Sequence, residues 1–104
     1  MRTLVSPAAR RDLFQIVTHL AAVAGPVTAD RWDRKLWKAI EEVSESPGSG
    51  APRPTLAEHA RIVVVHPYVV IYEHERGSDS LHILRVVHGR RNITKELLHT
   101  GGDS

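Results

Sequence analysis

Apolar and polar positions recur along this chain in two rhythms, first at the spacing of helices and then at that of strands. Residues 2–5 (RTLV) make a short apolar opening suited to a strand. Ser6-Pro7 supplies a side-chain cap followed by proline at the first helical position, so a helix is expected to start there. Leu13, Ile16, Val17 and Leu20 repeat at i, i+3, i+4 and i+7 and share one face, leaving Arg10, Arg11 and Gln15 to water. Gly25-Pro26 ends this helix. Thr28 is the expected cap of a second helix with Asp30 near its positive end, and Trp32, Leu36, Ile40 and Val43 form its apolar stripe.

From Ser44 to Pro54 the run SESPGSGAPRP holds too much proline, glycine and serine for a helix or a strand. Three β-branched runs follow: RIVVV (61–65), YVVIYEHE (68–75) and LHILRVV (81–87). His66-Pro67 separates the first two, and RGSD (76–79) reads as a hairpin connection. In the last run Leu81, Ile83 and Val87 fall in one alternating set and Leu84 and Val86 in the other, which predicts a central strand covered on both faces. NITKELL (92–98) predicts a short helix capped by Asn92, and 99–104 a disordered tail. The order predicts one α+β domain over 1–98: an N-terminal strand, a helical hairpin packed on a small antiparallel sheet, and a short C-terminal helix.

A chain of 104 residues suits one core, since a domain of this size buries roughly two-thirds of its unfolded surface. Lys and Arg number 14 against 12 acids, so the placement of charge matters more than its sum. Glu41, Glu42 and Glu45 lie together, whereas Arg85, Arg90, Arg91 and Lys95 gather late, where an anionic or acidic partner would be drawn. The absence of cysteine excludes disulfides and thiolate metal sites and fits a reducing compartment. The start, MRTLVSPAARRDL, carries no apolar core of signal-peptide length after its charges, and no stretch approaches the roughly 18 apolar residues of a membrane span, so a cytoplasmic protein is expected.

Candidate chemistry is sparse. The seven histidines lack metal-ligand spacing and read as surface or strand-edge residues, so neither metal nor cofactor is expected. Asp12, Asp30, Asp33 and Glu41/Glu42 read as solvated helix charges, not as an acid/base pair. Trp32 and Trp37, five residues apart, point about 140° from one another. That assigns Trp32 to the core and leaves Trp37 between an interface edge and an exposed contact. Arg85 alternates with Ile83 and Val87, so its head is expected at a sheet rim or cleft, and Gly89 permits a sharp exit before Arg90 and Arg91. Guanidinium forks bind phosphate and carboxylate alike, and His88 near Tyr72 could move a proton in a metal-independent RNase. The same stretch also reads as a solvated strand end with two surface cations.

Four segments together resemble the RelE/ParE superfamily of type II toxins, most closely its ParE branch: SPAARRDLFQIVTHLA, GAPRP with Arg53, HPYVVIYEHE, and ILRVVHGRRNI with its His-Gly-Arg-Arg signature. The resemblance spans roughly residues 2 to 98. It implies a toxin whose helical hairpin lies on a curved antiparallel sheet, neutralised by a cognate antitoxin in a hetero-oligomer, with DNA gyrase as target and no specific DNA binding of its own. It further implies that Arg85, His88, Arg90, Arg91, Lys95 and Leu98 face the target and that Trp37, Arg53 and Tyr72 face the antitoxin. The alternative is a RelE-like ribosome-dependent mRNA endonuclease using His88 and Arg91 with support from Tyr72. Such nucleases carry an arginine after the middle-strand tyrosine and a tyrosine in the terminal segment, where this chain has Val69 and Leu97. Gyrase inhibition without catalysis is therefore the favoured expectation. Val69, Val70 and His66-Pro67 also depart from the usual ParE-like pattern.

Overall fold

The computed structural model describes residues 1–100, with side chains through Leu98. The described elements run β1 (Arg2–Val5), α1 (Pro7–Ala24), α2 (Pro26–Glu45), β2 (Ala51–Pro52), β3 (Ala60–Val65), β4 (Tyr68–Glu73), β5 (Ser80–His88) and α3 (Lys95–Thr100). The strands form one sheet in the order β1-β5-β4-β3-β2. Strands β2 to β5 pair antiparallel, but β1 runs parallel to β5. The sheet is thus mixed where a wholly antiparallel one was expected. Parallel pairing needs a long crossover, and the chain between β1 and β5 provides it.

Helix α1 begins as its sequence requires. Ser6 Oγ accepts the Ala9 N–H at 3.0 Å and donates to the Leu84 carbonyl at 2.8 Å, while the Ser6 N–H donates to Ile83 O at 3.0 Å. One residue therefore caps the helix and ties its start to β5. Helix α2 starts at Pro26, two residues ahead of the Thr28 cap that its composition suggested. Gly25 joins the helices at φ 91°, a backbone conformation open to glycine, and its N–H caps Ala21 O while its carbonyl accepts from the Ala29 N–H. Two helices can then meet without the longer turn that a Thr28 cap would have needed.

The proline-rich connection holds a 3-10 turn at Pro47–Ser49 and the two-residue edge strand β2. Helix α3 begins at Lys95, after the proposed Asn92 cap, and runs through Thr100 into the stretch expected to be a tail. The rest of that expected tail, 101–104, lies outside the described residues. No helix among the described residues is long and apolar enough to cross a membrane.

Two apolar clusters cover the two faces of the sheet. Ala9 and Leu13 of α1 and Leu36, Ile40 and Val43 of α2 pack on Tyr68, Val70 and Tyr72 of β4 and on Leu81, Ile83 and Val86 of β5, with Trp32 half-buried at the margin. On the opposite face Leu56 and Ala60 join Val69, Ile71, Val87 and Leu97. Strand β4 is accordingly buried throughout Tyr68–Tyr72, as a strand covered on both sides should be. Strand β5 changes phase midway. Ile71 lies opposite Arg85 and Tyr72 opposite Ile83, which leaves Leu84 as an extra residue in a β-bulge. The bulge puts Val86 with Leu81 and Ile83, and Val87 with Leu84, reversing the face assignments read from simple alternation.

Tyr72 anchors the loop before β2 and is 0% exposed. Its hydroxyl accepts the Gly50 N–H at 2.9 Å and donates to Pro47 O at 2.7 Å. This corrects the expectation that Tyr72 meets an antitoxin: its side chain is used up inside the fold. A Cβ at Gly50 would stand 2.5 Å from the Tyr72 hydroxyl oxygen and 2.8 Å from Ile62 O. Gly50→Ala is expected to cost about 1–3 kcal/mol through this overpacking. Urea denaturation checks it, and an unchanged midpoint would mean that the phenol gives way freely.

Candidate macromolecule-binding site

The chemistry-bearing end of the molecule is built on a buried ion pair. Arg85 (5% exposed) and Asp12 (7%) meet between β5 and α1. Arg85 Nε donates to Asp12 Oδ2 at 2.7 Å and Nη2 to Oδ1 at 2.8 Å, a bidentate fork. Asp12 Oδ2 also accepts the Val86 N–H at 2.9 Å, and Arg85 Nη1 donates to Leu97 O at 2.8 Å. Helix α1, strand β5 and helix α3 thus converge on two side chains. The hydrogen bond to Asp12 holds the Arg85 guanidinium above its ordinary pKa, aided by the carboxylate's charge and opposed by burial.

This overturns two expectations. Arg85 reaches neither a rim nor a cleft and offers nothing to a target, because it is 5% exposed and its Nε, Nη1 and Nη2 are each engaged inside the fold. Asp12, read as a solvated helix charge, is the counter-ion that makes a buried arginine tolerable. The signal for it was present: Ala9, Asp12, Leu13 and Ile16 stand at i, i+3, i+4 and i+7, an acid inside the apolar face.

Beyond Arg85 the strand ends in a turn fixed by its backbone. The Gly89 N–H donates to Pro67 O at 2.7 Å and the Arg91 N–H to His88 O at 3.0 Å. Gly89 keeps a negative φ, so left-handed freedom is not what turns the chain. The Arg90 N–H donates to His88 Nδ1 at 3.1 Å, which leaves Nε2 to carry the neutral ring's proton. His88 lies opposite Tyr68 in the ladder, and their rings meet edge to face at 5.7 Å. Tyr68 in turn meets Trp32 edge to face at 5.3 Å, with Lys35 Nζ 4.6 Å above the indole. His88 therefore contacts Tyr68, not the Tyr72 that the sequence had suggested. Burial pushes the Tyr68 phenol above its ordinary pKa and keeps it neutral.

A cleft of about 290 Å³ opens between α1 and the end of β5, lined by Gln15, Ile16 and His19 on one side and by Tyr68, Val86, His88 and Arg91 on the other, with Asp12 at its base. His88 and Arg91 are brought together there, and Arg90 is exposed on the same turn. His19 and Gln15 complete the rim and had not been singled out. Their partnership with His88 depends on how α1 crosses β5, which local pattern does not reveal.

The remaining expected contacts divide. Lys95 is exposed, whereas Leu98 is half-buried against the second apolar cluster. Trp37 is 37% exposed on α2, and Arg53 is exposed with Nη1 donating to Pro52 O at 2.8 Å. Val69 and Leu97, at the positions where the nuclease pattern has an arginine and a tyrosine, are buried in the second cluster. No group of three potential metal-ligating side chains occurs among the described residues.

The family model described as "ParE toxin of type II toxin-antitoxin system, parDE" matches residues 4–93. Among solved structures, the fold is similar to that of a chain described as "Chromosomal ParDE TA system from P. aeruginosa", with a TM-score of 0.72 and 20% sequence identity over 85% of this chain and 95% of that one. No curated protein matches the sequence. At such identity the structural likeness is one of fold.

Removing one member of the buried pair strands the other. Asp12→Ala is expected to lower stability by about 3–5 kcal/mol, since it leaves an uncompensated buried charge. Asp12→Leu combined with Arg85→Met should recover most of that loss. Denaturation of the single and double variants tests this, and a single variant as stable as the parent would mean that the pair contributes nothing.

Proposed function

Because this chain belongs to the ParE toxin family of type II toxin-antitoxin systems, we propose that it acts by binding a protein target, DNA gyrase, without itself catalysing a reaction, and that a cognate antitoxin neutralises it by direct contact. The observation that carries this reading is the His88–Arg91 turn. It presents Arg90 and Arg91 to solvent from a strand end whose backbone is fixed by hydrogen bonds to Pro67 and His88. A fixed backbone limits the ordering cost of docking to the arginine side chains themselves, and paired cations suit a complementary acidic surface. Target contact is assigned to His88, Arg90, Arg91 and Lys95, with Leu98 contributing its solvent-facing part; Arg85 supports them from within.

The competing reading, a RelE-like mRNA endonuclease, draws on the cleft shared by His88, Tyr68 and Arg91. Against it, the Tyr72 hydroxyl is committed to Pro47 and Gly50, and apolar Val69 and Leu97 fill the places of a phosphate-binding cation and an aromatic acid/base group. Groups of that kind contribute on the order of 10² to 10⁴ each to a cleavage rate. Antitoxin contact is assigned to Trp37 and Arg53, which stay accessible on the hairpin and beside β2.

Two outcomes are expected. Purified protein added to gyrase, supercoiled DNA and ATP inhibits supercoiling or traps cleaved DNA, and Arg90→Glu with Arg91→Glu abolishes the effect while the circular dichroism spectrum is retained. Absence of inhibition, with codon-spaced cuts in a translating extract, would favour the endonuclease. Trp37→Ala weakens the antitoxin complex by about 1–2 kcal/mol; unchanged affinity in calorimetry would remove Trp37 from that interface.

A further inference from the structure

The cleft between α1 and the end of β5 has a chemistry more specific than a cationic rim. Resting on the protein-target reading above, we propose that it seats a single carboxylate side chain of the partner protein, received by His88 Nε2–H and the Arg91 guanidinium, with Gln15 and His19 on the opposite rim.

Three features of the cleft favour this occupant. Its donors are uncommitted where they matter: His88 uses Nδ1 to accept the Arg90 N–H, so its remaining nitrogen is a donor, and Arg91 makes no side-chain ion pair among the described residues. The acid at its base does not repel an incoming anion, because both Asp12 oxygens are engaged by Arg85 and the Val86 N–H, and the guanidinium offsets its charge. Its walls are apolar at Ile16, Val86 and Val87, a surface suited to the methylenes of an Asp or Glu side chain. An acceptor with a short apolar stem matches all three.

A nucleic acid fits less well. Single strands are usually held by a basic groove with aromatic rings on which bases stack. Here both sheet faces are covered, Tyr68 is 8% exposed and Tyr72 0%, and the aromatic rings that reach solvent, Phe14, Trp37 and the half-buried Trp32, sit on the two long helices. The formal charge is only +2.

Tyr68 and Trp32 are then positioning residues. Their edge-to-face contacts buttress the His88 ring from the first apolar cluster, while the Arg90 amide selects its tautomer. The sequence neighbours Arg90 and Arg91 thus differ in role: the backbone of one orients the imidazole, and the side chain of the other supplies charge.

Imidazole nitrogen resonances of the intact chain provide the test, with N-acetyl-glutamate N-methylamide as probe and its glutamine counterpart, inorganic phosphate and a uridine hexanucleotide as comparisons. The glutamate probe is expected to shift His88 Nε2 saturably, the glutamine probe not to do so, and Arg91→Gln to weaken the interaction roughly fivefold, as loss of one exposed charge-assisted contact should. Tyr68→Leu is expected to blunt the His88 response while leaving the protein folded; if it fails to fold, His88→Phe, a surface change, is expected to weaken the probe's saturable shift of the Arg91 Nε resonance, and an undiminished shift there would count against the assignment. No saturable shift, an equal response to glutamine, or tighter binding of phosphate or the hexanucleotide than of glutamate would overturn the assignment. This readout needs neither gyrase nor antitoxin, so an empty cleft would refute the carboxylate seat and leave the choice of target to the supercoiling experiment.

Discussion

The buried pair Asp12–Arg85 is the constraint on which the functional end of this protein depends. A guanidinium in the middle of an apolar strand is expensive to desolvate, and only a nearly complete set of partners makes it tolerable. Asp12 supplies two oxygens from α1 and Leu97 a carbonyl from α3, while the Val86 amide donates a third bond to the same carboxylate. Helix α1 is thereby held at one point with β5 and α3 from the other end of the chain. A purely apolar junction of similar volume could be as stable, but it would not fix direction as a bidentate fork does.

The consequences run outward along β5. Leu84 bulges just before Arg85, so Arg85 takes the place opposite Ile71, and beyond it Val86 and Val87 fall into separate clusters on the two faces of the sheet. His88 is the first residue past this covered stretch, and its turn is closed by bonds to Pro67 and to its own carbonyl. Rigidity inside and exposed charge outside are therefore adjacent by construction. A fixed strand end beside exposed charge is an arrangement suited to recognition, where a preorganised backbone lowers the entropy lost on docking.

Much of the architecture was legible from local pattern. The Ser6-Pro7 start, the Gly25-Pro26 break, the stripe Leu36, Ile40 and Val43, and the three β-branched runs each have a short-range cause and lie where the sequence places them, except that β4 stops at Glu73, short of the expected residue 75, and β3 and β5 extend slightly beyond their runs. The parallel pairing of β1 and the bulge in β5 depend on long-range packing, which no window of a few residues contains. The candidate site was half legible. Arg90 and Arg91 follow a strand end and are exposed as expected, but Arg85 looked like a third surface cation because its partner lies 73 residues away. Tyr72 was misjudged for the same reason, since its hydroxyl is satisfied by backbone groups of a loop 22 and 25 residues earlier. Polar residues inside apolar runs are poorly read alone; their meaning lies in the distant group that balances them.

The central claim is that this buried junction holds the end of β5 as part of the core, so that the cationic turn is presented from a fixed base. Native-state amide hydrogen exchange measures that directly. The account predicts that the Val86 and Gly89 amides, bonded to Asp12 and Pro67, exchange only through global opening, with the same free energy as the amides of Ile71 and Ile83 in the centre of the sheet. Exchange of Val86 and Gly89 through a separate, low-energy local opening while the centre stays protected would contradict it.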